Sequence, residues 1–255
     1  MKKSILIIAC GVILSATAWA QEFKVEKSTG RLEIDEVNHV TIEGTTGNEI
    51  IFSSNDNDRD DDGRSKGLRA ISSMGIEDNT GLGLSVLDKG NFVEVRQLKK
   101  MDGPDITIKV PKGVVVSYTH NSPYGEEIEF KNFEGEIEVS TVHNGVRVSN
   151  SSGPMRLKTV HGDIEVVLNA SMKSPISLTS IHGHVDLGMP AATKANIRMG
   201  TKFGEIFVDP EFKIEFEKST SGMVSYSDNI SGKINGGGID ITLSSQHNNV
   251  YLRKK

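Results

Sequence analysis

Cysteine and tryptophan are nearly missing from this chain. Its one cysteine, Cys10, and its one tryptophan, Trp19, both fall in the first 20 of 255 residues. The remainder can form no disulfide and offers no thiolate to a substrate or metal, so its stability must come from packing. Four tyrosines and no tryptophan beyond Trp19 leave few of the aromatic platforms on which sugar-processing sites are built. No Gly-x-Ser-x-Gly, phosphate loop or dinucleotide fingerprint occurs. No stretch after the first 20 residues approaches the ~18 apolar residues a membrane-spanning helix needs, and none sustains a helical apolar period. Basic charge is also short. Taking away Lys2 and Lys3, the 29 Lys and Arg become 27 against 34 acids, a net of −7 with no basic stripe, which argues against nucleic acid as a partner.

The opening residues read as an export signal. Met1-Lys2-Lys3 is a charged start, Ile5 to Thr17 is almost wholly apolar or small, and Ala18-Trp19-Ala20 precedes Gln21. Cleavage after Ala20 is expected, delivering a chain without a transmembrane segment to the periplasm or cell surface. Ile7-Ile8-Ala9-Cys10 is similar to a lipoprotein acylation site. Acylation there would leave an apolar region of only a few residues, while Gly11-Val12-Ile13-Leu14 continues it past the cysteine, so a soluble exported chain is the reading adopted.

What the sequence does contain is a repeat. Met155 to Val166, Ile176 to Leu187 and Ile197 to Val208 are copies of one another, each starting 21 residues after the last. Met155, Ile176 and Ile197 correspond, as do Leu157, Leu178 and Met199. Ile164, Val185 and Ile206 form a third set, and Val166, Leu187 and Val208 a fourth. Between the apolar pairs stands a Thr/Ser-x-His-Gly tetrad, Thr159 to Gly162 and Ser180 to Gly183, with Phe203 replacing His in Thr201 to Gly204. Alternation at period two marks strands with one buried face, and the glycine is expected where the chain turns through positive φ. Two short strands and a corner cannot bury their apolar face alone, whereas stacked copies can. The period therefore predicts an all-β chain built as a β-solenoid, a right-handed single-stranded β-helix with rungs of about 18–21 residues. A plain β-meander is the competing reading.

The repeat extends in both directions. Ile137 to Val148 reads as the same unit with Asn144 inserted before Gly145, and Ile241 to Leu252 as a last unit with Asn249 at the glycine position, where left-handed backbone suits asparagine. Ser219 to Gly222 is a degenerate copy. About six rungs from Glu134 onward form a repeat region over 133–255, closed by Arg253-Lys254-Lys255 as a charged end that resists stacking on another molecule. The region 21–132 reads as further strands, either early rungs or a cap. Arg31 to Ile34 and His39 to Glu43 alternate, Glu49 to Phe52 reads as a return strand, Leu84 to Leu87 and Phe92 to Val95 flank a hairpin turn, and Pro111-Lys112-Gly113 stops the strand from Asp105.

These Thr-x-His/Asn-Gly corners, the Gly-x-Ile-x-Val pairs behind them, and the ending Gly236-Gly237-Gly238-Ile-x-Ile-Thr-Leu-Ser-Ser-x-His-Asn-Asn-Val-Tyr-Leu resemble the exported bacterial β-strand-repeat family labelled "putative adhesin". The resemblance covers roughly Val40 to Leu252. It implies a β-solenoid of the cell envelope and leaves function open, since a fold does not dictate one.

Two places depart from that family's pattern and carry the candidate chemistry. The corner histidines His143, His161, His182 and His247 hold one structural position, and the first three could stack about 4.8 Å apart, the spacing of paired strands. Such a row could bind Zn²⁺ or Cu²⁺, with Asp163 and Asp186 nearby in sequence, or act as a pH-sensitive ladder, or serve only as polar corners. The acidic loop within 55–83 contains Asp58-x-Asp60-x-Asp62-Gly63, the first half of a calcium loop, but Arg69 stands where the closing Glu belongs. A solvated loop is the alternative. Outward acids such as Glu136, Glu138, Asp163, Glu165, Asp186 and Glu205 could host a polysaccharide-processing site, yet on a repeat sheet they read better as solubilising ladders. The sequence thus points to a non-enzymatic exported interaction module whose partner is an envelope or host-surface protein or glycan. A periplasmic divalent-metal binder is the alternative.

Overall fold

The computed structural model describes residues 21–54, 64–65, 67–169, 172–216 and 229–255. No helix occurs among them, and the backbone is organised into 21 strands. The first four are β1 (Glu22–Glu26), β2 (Gly30–Asp35), β3 (His39–Thr45) and β4 (Glu49–Ser54). After the connection to Gly83 come β5 (Leu84–Asp88), β6 (Phe92–Gln97), β7 (Asp105–Pro111), β8 (Val114–His120) and β9 (Ile128–Lys131). The repeat supplies β10 (Ile137–Thr141), β11 (Val146–Ser151), β12 (Met155–Thr159), β13 (Ile164–Leu168), β14 (Ile176–Ser180), β15 (Val185–Met189), β16 (Ala195–Thr201) and β17 (Ile206–Val208). The chain ends with β18 (Ile214–Phe216), β19 (Asn229–Ile234), β20 (Ile239–Ser245) and β21 (Val250–Lys254).

These strands make two large mixed sheets, one of 10 and one of 11 strands, and no closed barrel. Through most of the chain, successive strands alternate between the sheets, so that each pair joined by a corner is one rung. Rungs pair with rungs in parallel in both sheets. Met155, Leu157 and Thr159 face Ile176, Leu178 and Ser180, and Ile164 and Val166 face Val185 and Leu187, the register that the 21-residue period requires. Inward positions are almost completely buried and form one apolar cluster running from Leu32 to Leu252. Most outward positions are charged or polar, as alternation at period two dictates, with Val115, Val167 and Phe207 among the apolar exceptions.

The order of rungs departs from the order of the chain at both ends. From one end the rungs run β6/β7, β2/β3, β8/β9, β10/β11, β12/β13, β14/β15, β20/β21 and β16/β17. The C-terminal rung, read from sequence as the end of the stack with Arg253 to Lys255 as its charged close, instead lies between β14/β15 and β16/β17. The N-terminal rung β2/β3 is inserted in the same way, between β6/β7 and β8/β9. The physical reason is that every rung presents the same apolar inner face and the same backbone ladder. The periodic sequence therefore fixes register far better than neighbour order.

Antiparallel strands flank the parallel stack. β5 covers β6, β4 covers β7 and β1 covers β4 at one end, while β19 covers β16 and β18 covers β19 at the other. Reversal of strand direction interrupts the parallel register, and Glu22, Lys24 and Glu26 charge the β1 edge, both of which discourage edge-to-edge association. The hairpin read at Asp88 to Asn91 is present as β5–β6, with Gly90 at φ +86°. β4, read as the return strand of β3, pairs instead with β7 and β1, because β7 occupies the place beside β3.

Candidate functional site

Each corner from β10/β11 to β16/β17 is the same short turn laid on the one below it. The backbone ladder continues around it. Val160 and His161 donate to the carbonyls of Thr141 and Val142, Ile181 and His182 to those of Thr159 and Val160, and Gln246 and His247 to those of Ser180 and Ile181, at 2.8–3.3 Å. Because the turn itself is in register, whatever side chain it projects is repeated at the strand spacing.

Glycine is needed here for a reason other than the one its position in a turn implies. Gly162, Gly183 and Gly204 do not have positive φ. A Cβ on Gly162 would sit 2.0 Å from the Asn144 carbonyl oxygen, on Gly183 2.0 Å from that of Gly162, and on Gly204 2.2 Å from that of Asn248. Close approach of the neighbouring rung, rather than a left-handed backbone, selects the residue. The same alignment corrects two readings. Ile137 pairs with Met155 and Val146 with Ile164, so Asn144 replaces the corner glycine and nothing is inserted. Asn248, not Asn249, holds the glycine position in the C-terminal rung, and neither is left-handed. Both corner asparagines reach back one rung, Asn144 Nδ2 to the Glu126 carbonyl at 2.5 Å and Asn248 Nδ2 to that of His182 at 3.2 Å. The left-handed asparagines are Asn132, Asn150 and Asn235.

Inside the corner runs a row of hydroxyls that binds the turns together. Thr141 Oγ1 donates to the Asn144 carbonyl at 2.7 Å, Thr159 Oγ1 to that of Gly162 at 2.5 Å, and Ser245 Oγ to that of Gly183 at 2.8 Å. Gly183 and Asn248 donate their N–H groups back to Ser180 and Ser245. Thr141, Thr159, Ser180 and Ser245 are buried, so these bonds satisfy groups that water cannot reach.

Outside the corner the side chains form a single file of rings. His143 and His161 are 5.5 Å apart between centroids, His161 and His182 4.8 Å, His182 and His247 4.7 Å, and His247 and Phe203 4.9 Å. Neighbouring planes differ by only 6–14°. The insertion of the C-terminal rung places His247 between His182 and Phe203, so all four histidines are contiguous and phenylalanine ends the row. All five rings are exposed. Among the described residues no ring nitrogen of the four histidines has a hydrogen-bond or ion-pair partner.

Stacked rings do not make a chelate. Imidazole lone pairs lie in the ring plane, and parallel planes held 4.7–5.5 Å apart do not bring two nitrogens to the 2.0–2.1 Å that Zn²⁺ requires. Among the described residues no group of three or more His, Cys, Asp or Glu side chains could hold an ion. Asp163 and Asp186 are engaged elsewhere, the first 2.9 Å from His184 Nδ1 and the second 2.6 Å from Arg253 Nε. Glu165 pairs with Arg147 at 3.2 Å and Glu138 with Arg31 at 2.5 Å, so these outward acids form charge ladders. Asp58, Asp60 and Asp62 lie outside the described residues.

Sequence reasoning missed His120. It occupies the buried hydroxyl row, opposite Thr141, and is 0% exposed. Its Nε2 is 3.1 Å from Asn38 Oδ1, and among the described residues its Nδ1 makes no hydrogen bond. Burial pushes its pKa below the ordinary histidine value despite the Glu36 carboxylate 3.9 Å away. The unfolded chain therefore binds more protons than the folded one between that lowered pKa and the ordinary value of about 6.5. This contribution to stability is complete above pH 6.5 and is lost as pH falls below it. Thermal melts from pH 8 to 5 should fall more steeply for the native chain than for His120→Thr, which uses the residue found in the same row. The only signal in the sequence was a histidine where other copies carry Thr or Ser.

No protein-family model matches the chain, and no curated protein matches it. Two solved structures are similar. A "putative cell adhesion protein" from Clostridium sporogenes is 11% identical, with 93% of this chain and 100% of that one covered at a TM-score of 0.44. A "putative adhesin" from Bacteroides fragilis is 10% identical, with 94% and 98% covered at a TM-score of 0.32.

Proposed function

We propose that this chain is a non-enzymatic interaction module of the cell envelope, an exported β-solenoid with two strands per coil that presents its corner ridge to a partner. The observation that carries this reading is the ridge itself: five exposed rings in single file on five consecutive rungs. The interior is filled by apolar side chains, and many outward charges are spent on one another along both sheets. What remains available over a long distance is a straight, repetitive edge, suited to an extended ligand held by many weak contacts. Export is supported by Met1 to Ala20, and no helix among the described residues is long and apolar enough to cross a membrane.

Protease shaving of intact cells, with a cytoplasmic and a periplasmic protein as controls, tests the reading. Cleavage of this chain while both controls survive places the ridge where an external partner can reach it. Resistance until the outer barrier is opened removes adhesion and confines any partner to the envelope interior.

A further inference from the structure

The geometry points to a partner class for this ridge: we propose that the row His143–His161–His182–His247 is an acid-gated binding strip for a linear acidic polysaccharide. The proposal rests on the reading of the ridge as an interaction surface and adds the chemistry of its ligand and the condition under which it binds.

Four imidazoles in line span about 15 Å, with successive separations of 5.5, 4.8 and 4.7 Å. Each is exposed, and none spends a ring nitrogen on the protein among the described residues. Neutral, the row is a polar edge. Protonated, it becomes a file of cations with two N–H donors each. Charges that close oppose one another. An anion laid along the ridge removes that opposition, and binding must then take up protons.

The corner residues immediately before the row, Val142, Val160, Ile181 and Gln246, carry no charge. Charged groups on the corners and adjoining strand ends are Glu126 and Glu127 beyond the His143 end, Lys158, the Asp163–His184 pair, and Lys202 and Glu205 at the Phe203 end. Glu127 is held by Arg147 at 2.7 Å.

The ridge is a line and not a pocket, which fits an unbranched chain with a charge on each unit better than a compact anion. At its end Phe203 is 64% exposed, with one face on His247 and Lys202 Nζ 5.4 Å from its centroid. A ring face beside cations is what a sugar bearing a carboxylate can use, its C–H face on the ring and its charge on the donors. The net −7 of residues 21–255, 27 Lys and Arg against 34 acids, disfavours polyanions at neutral pH and makes acidification decisive.

The test is a titration of purified residues 21–255 with a defined oligogalacturonate at pH 7.5, 6.0 and 5.0. A neutral dextran of equal length and a single-stranded DNA oligomer serve as comparisons. Affinity for the uronate should rise at least tenfold from pH 7.5 to 5.0, since each proton taken up on binding contributes a factor of about ten per pH unit. The rise should vanish in His161→Gln/His182→Gln and fall with added salt. His161→Lys/His182→Lys should bind at pH 7.5, a gain that misfolding could not produce. Binding that ignores pH, a Gln variant that behaves like the native chain, or equal binding of dextran overturns the proposal. Tighter binding of the DNA overturns the polysaccharide assignment. Because the assay uses purified protein, its failure leaves the shaving result untouched, and the reverse also holds.

Discussion

Gly183→Ala should unfold or severely destabilise the chain, by about 3 kcal/mol or more on the scale of overpacked interiors, although it adds a single methyl group to a surface turn. The new Cβ would lie 2.0 Å from the Gly162 carbonyl oxygen and 2.5 Å from its carbon. Both are backbone atoms locked into the rung ladder, so no side chain can swing away to make room. Either the corner lifts off its neighbour, breaking the bonds from Ile181 and His182 to Thr159 and Val160, or strain spreads into the strands on both sides. Gly188→Ala is the control. It lies in β15 with a Cβ position no closer than 3.6 Å to Val167, and it should change stability by less than about 1 kcal/mol. Paired denaturant melts of the two variants measure the difference. Equal, small effects would show that the corners are looser than described.

Removing residues 239–255 should cost far more than one rung. At the end of a stack, a missing rung exposes one new face. Here β20 is bonded to both β14 and β16, and β21 to both β15 and β17, so deletion opens the stack from within. Ile241, Leu243, Val250 and Leu252 are each at most 1% exposed. At about 1.5–3 kcal/mol for each buried side chain, their loss alone is comparable to the whole stability of a typical domain, about 5–15 kcal/mol. The shortened chain should therefore be largely insoluble or lose cooperative unfolding. A chain that keeps a sharp transition with a modest fall in midpoint would mean the C-terminal rung is dispensable, as an end rung would be.

The same rung shows where the sequence stops being informative. The apolar rows were legible residue by residue: Met155, Leu157, Ile164 and Val166 pair with Ile176, Leu178, Val185 and Leu187 as their spacing requires. The alignment of the corner histidines was legible for the same reason, because a side chain in a fixed place on a repeated turn must recur at the strand spacing. Neighbour order was not. Ile197 pairs with Ile241 in place of Ile176, yet both partners offer the same branched side chain and the same backbone. The role of Gly162, Gly183 and Gly204 was hidden too, since a turn glycine looks alike whether φ or the neighbouring backbone demands it. His120 was invisible because burial of one histidine among seven is a property of the fold around it.

Disulfide trapping tests most directly the claim on which the ridge depends, that the C-terminal rung brings His247 beside His182. Residues 21–255 contain no cysteine, so an introduced pair is unambiguous. Neighbouring rungs place corresponding Cα atoms about 4.8 Å apart, inside the range of about 4.4–6.8 Å that a disulfide bridges, while rungs two apart lie outside it. His182→Cys/His247→Cys should oxidise readily to an internal bridge, and His182→Cys/Phe203→Cys should stay reduced under the same conditions. The opposite pattern, with 182 bridging to 203 and not to 247, would restore the order of the chain to the stack. It would also break the four-histidine file on which the proposed binding strip rests.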